Sequence, residues 1–282
     1  MKYICIILLS IMCINSYSQS KSTEEIETLL DKGDAYIEQS DYRNALLCYE
    51  QALEFDDHNS STLLCMGFTH FKLREFEQAI VYLRQCVFFD KNYSYAWSIM
   101  GCTYGCLYTK KGNGKYLDTA LFCFRRAIDI EPNDADSWYR MGNVYFDKGN
   151  HAESIRCYEK AIVIEPNNAD FHEQLGIVYA DKKDYAQAKL WFQKSISLNS
   201  NNVTAWCEMA VCHVLQNNKT GAIQCFKKAL DIDVSKYMAW YFVQIELNKK
   251  YKDIPEIEQC FNKALEIGTE ELKKKNEEIK KQ

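Results

Sequence analysis

The sequence contains little proline and glycine, with three and eleven residues respectively among 282. Because these residues punctuate turns, their scarcity argues against a strand-and-turn architecture and favours long helices. The chain also lacks an excess of positive charge: its net charge is −5, which offers no general attraction to nucleic acid phosphates. Its hydrophobic content of 47% excludes a disordered polypeptide. We therefore expect an all-α protein with an extensive core and no nucleic acid partner.

Long apolar runs are also missing from residue 19 onward, where no stretch approaches the roughly 20 apolar residues that a membrane-spanning helix needs. Near the N-terminus, Lys2 precedes an apolar run over residues 3–14, and small residues follow up to Ser18. This layout is typical of a secretory signal peptide. We predict a signal peptide over residues 1–18, a short lead over residues 19–25, and export to the periplasm or secretion. A lipid anchor at Cys13 and a cytoplasmic location are the alternatives.

A period of 34 residues runs through the chain. Its clearest copy contains Trp138, Met141, Gly142, Tyr145, Ser154, Tyr158, Ala161 and Pro166. We count seven repeats, which begin near residues 26, 60, 94, 135, 169, 203 and 237. The third repeat carries seven extra residues, and the segment Lys110–Lys115 within it predicts an enlarged turn with an exposed basic tip. The seventh repeat is the weakest, and a charged segment over residues 269–282 follows it as a tail or capping helix.

These repeats resemble the tetratricopeptide repeat, in which a large residue, Leu-Gly, Tyr, Ala, Phe, Ala and Pro recur at fixed offsets. The resemblance implies a right-handed α-solenoid of about seven stacked helix-turn-helix repeats over residues 26–268. The pattern has a physical reason: Gly or Ala at the eighth position lets the second helix of each repeat approach the first. Asn59, Asp134, Asn168 and Asn202 stand where helix N-caps are expected.

The 13 cysteines do not form the pattern of a disulfide framework. Five of them precede an aromatic residue at equivalent positions of successive repeats: Cys48, Cys123, Cys157, Cys225 and Cys260. Equivalent positions of stacked repeats lie farther apart than the roughly 4.4–6.8 Å between Cα atoms that a disulfide tolerates. We therefore expect these cysteines to pack as small hydrophobic residues.

No arrangement of residues in the sequence indicates catalysis, a cofactor or a metal. The five histidines are scattered, and the cysteines include no C-x-x-C pair. Residues of one repeat contact only neighbouring repeats, which opposes a catalytic constellation assembled from distant segments. We expect a chain that is not an enzyme, holds no cofactor, and binds other proteins as a scaffold or adaptor. The alternatives are a structural subunit of an exported envelope or surface assembly, and a thiol-rich metal or redox protein.

The resemblance also nominates a binding surface, because the first helices of such repeats line the concave face of the solenoid. The nominated residues are Leu64, Phe68, Phe71, Tyr95, Tyr139, Arg140, Asn143 and Phe146. Further candidates are Lys72 and Cys102, and acidic residues on the first and fifth repeats: Glu27, Asp31, Asp34, Asp170, Glu173 and Asp181. We predict a groove with an aromatic middle and acidic flanks, whose partner is a protein or peptide segment with apolar anchors and basic residues.

Overall fold

The computed structural model describes residues 23–233, and within this range the chain is entirely α-helical. Helix α1 covers residues 23–38. The helices after it are α2 Tyr42–Phe55, α3 Ser60–Lys72, α4 Phe76–Phe89, α5 Ser94–Lys111, α6 Lys115–Ile130, α7 Ala135–Asp147, α8 His151–Ile164, α9 Ala169–Asp181, α10 Tyr185–Leu198, α11 Val203–Leu215 and α12 Lys219–Ile232. The predicted signal peptide, the seventh repeat with Cys260, and the charged C-terminal segment lie outside the described residues.

The chain divides into two compact units, Met1–Val144 and Tyr145–Gln282, which we call unit 1 and unit 2. In unit 1, helices α1 to α6 form three antiparallel hairpins, and α2 packs on α3 as α4 packs on α5. In unit 2, α9 to α12 form two hairpins, α8 packs on α9, and α10 packs on α11. The predicted helix-turn-helix repeats are therefore confirmed for the part of the chain that the structure describes, and the fold is an all-α solenoid.

In each hairpin, small residues lie where the two helices are in close contact. A Cβ atom added to Gly67 would lie 2.6 Å from Cγ of Leu83, and one added to Gly176 would lie 2.6 Å from Cε1 of Phe192. On the second helices, the alanines four residues before the large core residue are fully buried, as are Ala79 before Leu83 and Ala188 before Phe192. These small side chains let helices approach closely, so the large residue between them fills the hairpin core.

Side-chain caps and left-handed residues define the turns between helices. The predicted N-caps are confirmed: the side-chain oxygens of Asn59, Asp134, Asn168 and Asn202 accept hydrogen bonds from backbone N–H groups of the following helix. Between the two helices of a repeat, one residue adopts the left-handed conformation, with φ between 58° and 71°. These residues are Ser40, Arg74, Gly112, Gly149, Lys183 and Asn217.

The seven extra residues of the third repeat do not enlarge a turn, so that expectation was wrong. Helix α5 has 18 residues where α3 has 13, and α6 has 16 where α4 has 14. The turn between α5 and α6 keeps three residues, Gly112–Gly114, as does the turn between α3 and α4. All extra residues are helical because five prolong α5 and two lengthen α6. As a result, α5 extends past the neighbouring first helices by more than one turn.

No helix among the described residues combines the length and the apolar character needed to cross a membrane.

Candidate functional site

The predicted groove residues of unit 1 lie on three first helices, α3, α5 and α7. Leu64, Phe68 and Phe71 are on α3 at spacings of four and three residues, which places them on one face. Leu64 is buried, with 8% of its surface exposed, while Phe68 and Phe71 are half-buried against the same hydrophobic cluster. Leu64 therefore belongs to the core, and the two phenylalanines supply the exposed apolar surface of α3.

Tyr95 is the exposed aromatic residue of α5, with 52% of its surface accessible. The α7 residues Arg140, Tyr139 and Asn143 are half-buried. The Arg140 Nε donates a hydrogen bond of 2.5 Å to Oδ2 of Asp136 on the same helix. Burial raises the pKa of the Cys102 thiol to about 12, against the opposing influence of Arg140. Helices α5 and α7 are in contact, since Oγ of Ser137 donates a hydrogen bond of 2.9 Å to Oγ of Ser98.

Two of the predicted groove residues, Lys72 and Arg140, are basic. The Nζ atom of Lys72 lies 5.0 Å from the centroid of the Phe68 ring. Burial raises the pKa of the Cys106 thiol, and the charges of Arg74 and Arg140 oppose that shift from the preceding and the following repeat. On α3, a basic side chain therefore lies beside an aromatic ring of the groove.

A hollow of about 470 Å³ lies at the extended end of α5. It is lined by Arg74, Phe76, Cys106, Thr109 and Lys110. Lys110 stands 6.0 Å from the centroid of the Phe76 ring, and Phe76 is 6.1 Å from the Phe71 ring. This hollow exists because α5 is longer than the other first helices. In the sequence, this hollow was indicated by the seven extra residues of the third repeat, which we had interpreted as an enlarged turn.

Phe146, the remaining predicted residue, lies in unit 2, where its ring meets that of His151 edge-on with centroids 6.0 Å apart. Several predicted acidic residues already have partners. The Asp34 carboxylate accepts a hydrogen bond from the Tyr49 hydroxyl at 2.6 Å, and Asp181 contacts His151 at 2.7 Å. Glu27, Asp31 and Asp34 are all exposed on α1.

Glu173 has a structural role in unit 2. Its Oε2 accepts a hydrogen bond of 2.6 Å from Nδ2 of Asn202, and that amide also donates to Oγ of Ser195 at 3.0 Å. Burial raises the pKa of Glu173, the Asn202 amide opposes the rise, and the charges of Asp170 and Glu208 add to it. Glu173 therefore ties α9 to the cap of α11.

The histidines of the described chain take part in packing. His172 occupies the position of the large residue of its repeat, and its Nε2 lies 2.9 Å from the carbonyl oxygen of Pro166. Trp97, Trp138 and Trp206 make the equivalent hydrogen bond from their indole N–H to a carbonyl six residues earlier. His172 therefore substitutes for tryptophan in this repeat.

The exposed Asp56, Asp57 and His58 bring three potential ligand atoms together at the end of α2, an arrangement common on surfaces without an ion.

The ten cysteines that the structure describes are free thiols. Cys48, Cys123, Cys157 and Cys225 are buried, which confirms the predicted packing role for these positions. Burial raises the pKa of the Cys123 thiol to about 12 and that of Cys225 to about 11. Such thiols stay protonated at neutral pH and are weak nucleophiles.

These pKa shifts predict alkaline destabilisation. A thiol with a raised pKa in the folded state binds its proton more tightly there, so its contribution to stability is complete below the pKa of the unfolded thiol, near 8.5. That contribution is lost as the pH rises toward the folded value of about 12. We expect the thermal midpoint, followed by circular dichroism, to fall steadily between pH 8.5 and 11. Cys123→Ala should make the fall shallower, and a midpoint that stays constant over this range would contradict the prediction.

Comparison with known families agrees with this architecture. A family model described as TPR repeat matches residues 107–149 and 142–183, and one described as tetratricopeptide repeat matches residues 26–59, 169–202 and 203–233. Together these matches cover more than half of the chain. The chain belongs to the tetratricopeptide repeat family.

Several solved structures have the same fold. The crystal structure of MamA is 27% identical over 60% of this chain and 94% of its own, with a TM-score of 0.54. The pilF protein of Pseudomonas aeruginosa is 14% identical over 75% of this chain and 93% of its own, with a TM-score of 0.64. YrrB, described as a TPR protein with an unusual peptide-binding site, is 17% identical over 66% of this chain and 92% of its own, with a TM-score of 0.54. No protein of curated function matches the sequence significantly.

Proposed function

We propose that this chain is a non-catalytic scaffold that binds a protein or peptide segment in the groove of unit 1. The groove consists of Phe68, Phe71, Tyr95, Cys102, Cys106, Tyr139, Arg140 and Asn143. The observation that carries the proposal is Tyr95, a large aromatic side chain with half of its surface exposed on α5, a first helix that contacts the α3 helix of Phe68 and Phe71. Exposed aromatic residues that cluster in a concave surface are the usual anchors of protein recognition. Family membership supports the same conclusion, since such repeats generally act as non-catalytic scaffolds.

The chemistry of the groove indicates the kind of segment that fits. Apolar side chains of the partner would pack against Phe68, Phe71 and Tyr95. Basic residues of the partner would face Glu27 and Asp31 on α1. Arg140, which is half-buried and paired with Asp136, can donate its remaining N–H groups to carbonyl or carboxylate oxygens of the bound segment.

Tyr95→Ala is expected to weaken partner binding about tenfold or more, because the exposed ring would lose its contact with the apolar anchor. Tyr95 suits this test better than Phe68 or Phe71, which also pack against the core. The full chain would be immobilised, and the proteins that it retains from a lysate would be quantified by mass spectrometry. The affinity of the retained protein for each variant would then be measured.

Phe55→Ala is the matched control, because Phe55 is an aromatic residue of the same unit with a similar exposed fraction of 48%. It is the last residue of α2, a second helix, and is not among the groove residues. We expect its affinity for the retained protein to stay within twofold of the wild-type value. Equal losses for the two variants, or no loss for Tyr95→Ala, would contradict groove binding.

A further inference from the structure

Unit 1 has a second cleft, formed by α4, α5 and α6, with a volume of about 450 Å³. Its floor contains the buried residues Val87, Met100 and Cys123. Its two sides carry Phe88 and Phe122, with 72% and 55% of their surfaces exposed. We call this the α4–α6 cleft. Phe88 is the most exposed aromatic side chain among the described residues.

The α4–α6 cleft faces away from the groove. A helix advances about 100° per residue, so Tyr95, Cys102 and Cys106 fall within about 40° of one another around α5. The α5 residues that line the cleft are Trp97, Met100 and Tyr104, which lie on the opposite side of the helix. The two surfaces are therefore separate, and a partner could occupy one without touching the other.

The charged residues that line this cleft are all basic: Arg84, Lys91 and Arg126. Arg126 lies 5.8 Å from the centroid of the Trp97 ring and 3.9 Å from a carboxylate oxygen of Asp129. Within the part of the chain that the structure describes, the side chains of Arg84 and Lys91 form no ion pair with a carboxylate. In a chain with a net charge of −5, a cleft lined by three cations and no anion is a local reversal of sign.

A second hollow of about 560 Å³ adjoins the cleft and shares Arg84 and Phe88 with it. Its other lining residues include Leu53, Leu63 and Phe89. Its carboxylate, Asp57, contacts the neighbouring His58. Apolar surface thus continues from Phe122 past Phe88 to Phe89, with Arg84 beside the junction of the two hollows.

We propose that the α4–α6 cleft and its adjoining hollow bind an acidic, extended segment of another protein that carries two apolar anchors. One anchor packs between Phe88 and Phe122 above Trp97, and the other enters the hollow beside Phe89. Carboxylates next to the anchors face Arg84, Lys91 and Arg126. Charge complementarity selects this partner over a neutral or basic one, because two of the three cations have no anion of their own.

The test uses the full chain and a fluorescein-labelled peptide rich in Glu that contains one Trp and one Leu. Fluorescence anisotropy should show binding that weakens several-fold between low and high salt. A second peptide in which every Glu is replaced by Lys should bind at least tenfold more weakly. Failure of the Glu-rich peptide to bind, or equal binding of both peptides, would overturn the proposal.

Variants locate the binding site. Arg84→Glu should weaken the binding of the Glu-rich peptide about tenfold or more. Lys194→Glu makes an equal change of net charge at an exposed position on α10, and it should change the affinity less than twofold. Phe122→Ala should weaken binding of the peptide several-fold, and Tyr95→Ala should leave the affinity unchanged. The opposite ranking of Phe122 and Tyr95 would place the peptide in the groove and overturn the proposal.

A second copy of this chain is the competing occupant, and sedimentation distinguishes it. A wild-type chain that sediments as a dimer and becomes a monomer on Phe88→Ser would assign the cleft to self-association and overturn the acidic-segment proposal. An unchanged sedimentation coefficient for Phe88→Ser, combined with loss of peptide binding, supports it.

Discussion

Replacing Asn202 with alanine is expected to lower the free energy of unfolding of unit 2 by about 2–4 kcal/mol. The Asn202 side chain has three partners and only 9% of the residue is exposed. Its Oδ1 caps α11 by accepting from the N–H of Ala205, while its Nδ2 donates to Glu173 and Ser195. Loss of the cap costs about 1 kcal/mol. Leaving a half-buried carboxylate without its donor accounts for the remainder, about 1–3 kcal/mol.

The pH dependence of this variant follows from Glu173, whose pKa burial already raises. Without the Asn202 amide, which opposes that rise, the pKa should go higher. A carboxyl group with a raised folded pKa favours folding below the pKa of the unfolded group, near 4.3, and that benefit is lost as the pH rises through the folded value. The loss in Asn202→Ala should therefore be larger at pH 7 than at pH 4.5. Urea unfolding followed by circular dichroism at both values measures it.

Asn168→Ala is the control for this experiment. Asn168 caps α9 by accepting from the N–H of Asp170, and its other contact is a long, exposed hydrogen bond to Glu165. We expect a loss of about 1 kcal/mol with little dependence on pH. If Asn202→Ala lowers the free energy of unfolding no more than Asn168→Ala does, or lowers it equally at both pH values, Glu173 is not coupled to the cap as the structure indicates.

Two glycines on α5, four residues apart, are expected to respond to alanine with opposite signs. A Cβ on Gly101 would lie 2.8 Å from ring atoms of Phe124, which is fixed in the core with 2% of its surface exposed. A Cβ on Gly105 would meet nothing within 4 Å. Overpacking at Gly101 costs about 1–3 kcal/mol. The gain in helix propensity, up to about 1 kcal/mol, offsets only part of that cost.

We therefore expect Gly101→Ala to lower the free energy of unfolding of unit 1 by about 1–2 kcal/mol and Gly105→Ala to raise it by about 0.5–1 kcal/mol. Chemical denaturation of both variants beside the wild type gives the comparison. The two substitutions are chemically identical and lie on the same helix, so each is the control for the other. Stabilisation by both alanines would mean that the hairpin of α5 and α6 is looser than the structure shows.

The fold was predictable from the sequence because residues close along the chain specify the structure of each repeat. Gly67 and Gly176 marked close helix contacts, and Asn59 and Asn202 marked helix starts; the structure confirms all four. Four of the five cysteines before aromatic residues were correctly placed in the core, and Cys260 lies outside the described residues. The inserted residues of the third repeat were misread because Gly112 and Gly114 suggested a loop. The flanking residues instead continue the helices, and one left-handed Gly112 suffices for the turn.

The candidate sites were only partly predictable. Phe68, Phe71 and Tyr95 each follow from a position within their own repeat, whereas the hollow at the end of α5 depends on Arg74 and Cys106, which come from two consecutive repeats. The α4–α6 cleft was missed for the same reason. Its aromatic and basic residues belong to the second helix of one repeat and both helices of the next.

The sequence by itself determined the helical repeats, their register, their caps and the class of protein, since these depend on contacts between residues close along the chain. The tertiary structure alone decided which charges accompany the exposed aromatic residues. Those neighbours come from different repeats, and their distances are set by how the helices stack. The tertiary structure also formed the α4–α6 cleft, because its lining residues come from three helices that meet only when the repeats stack.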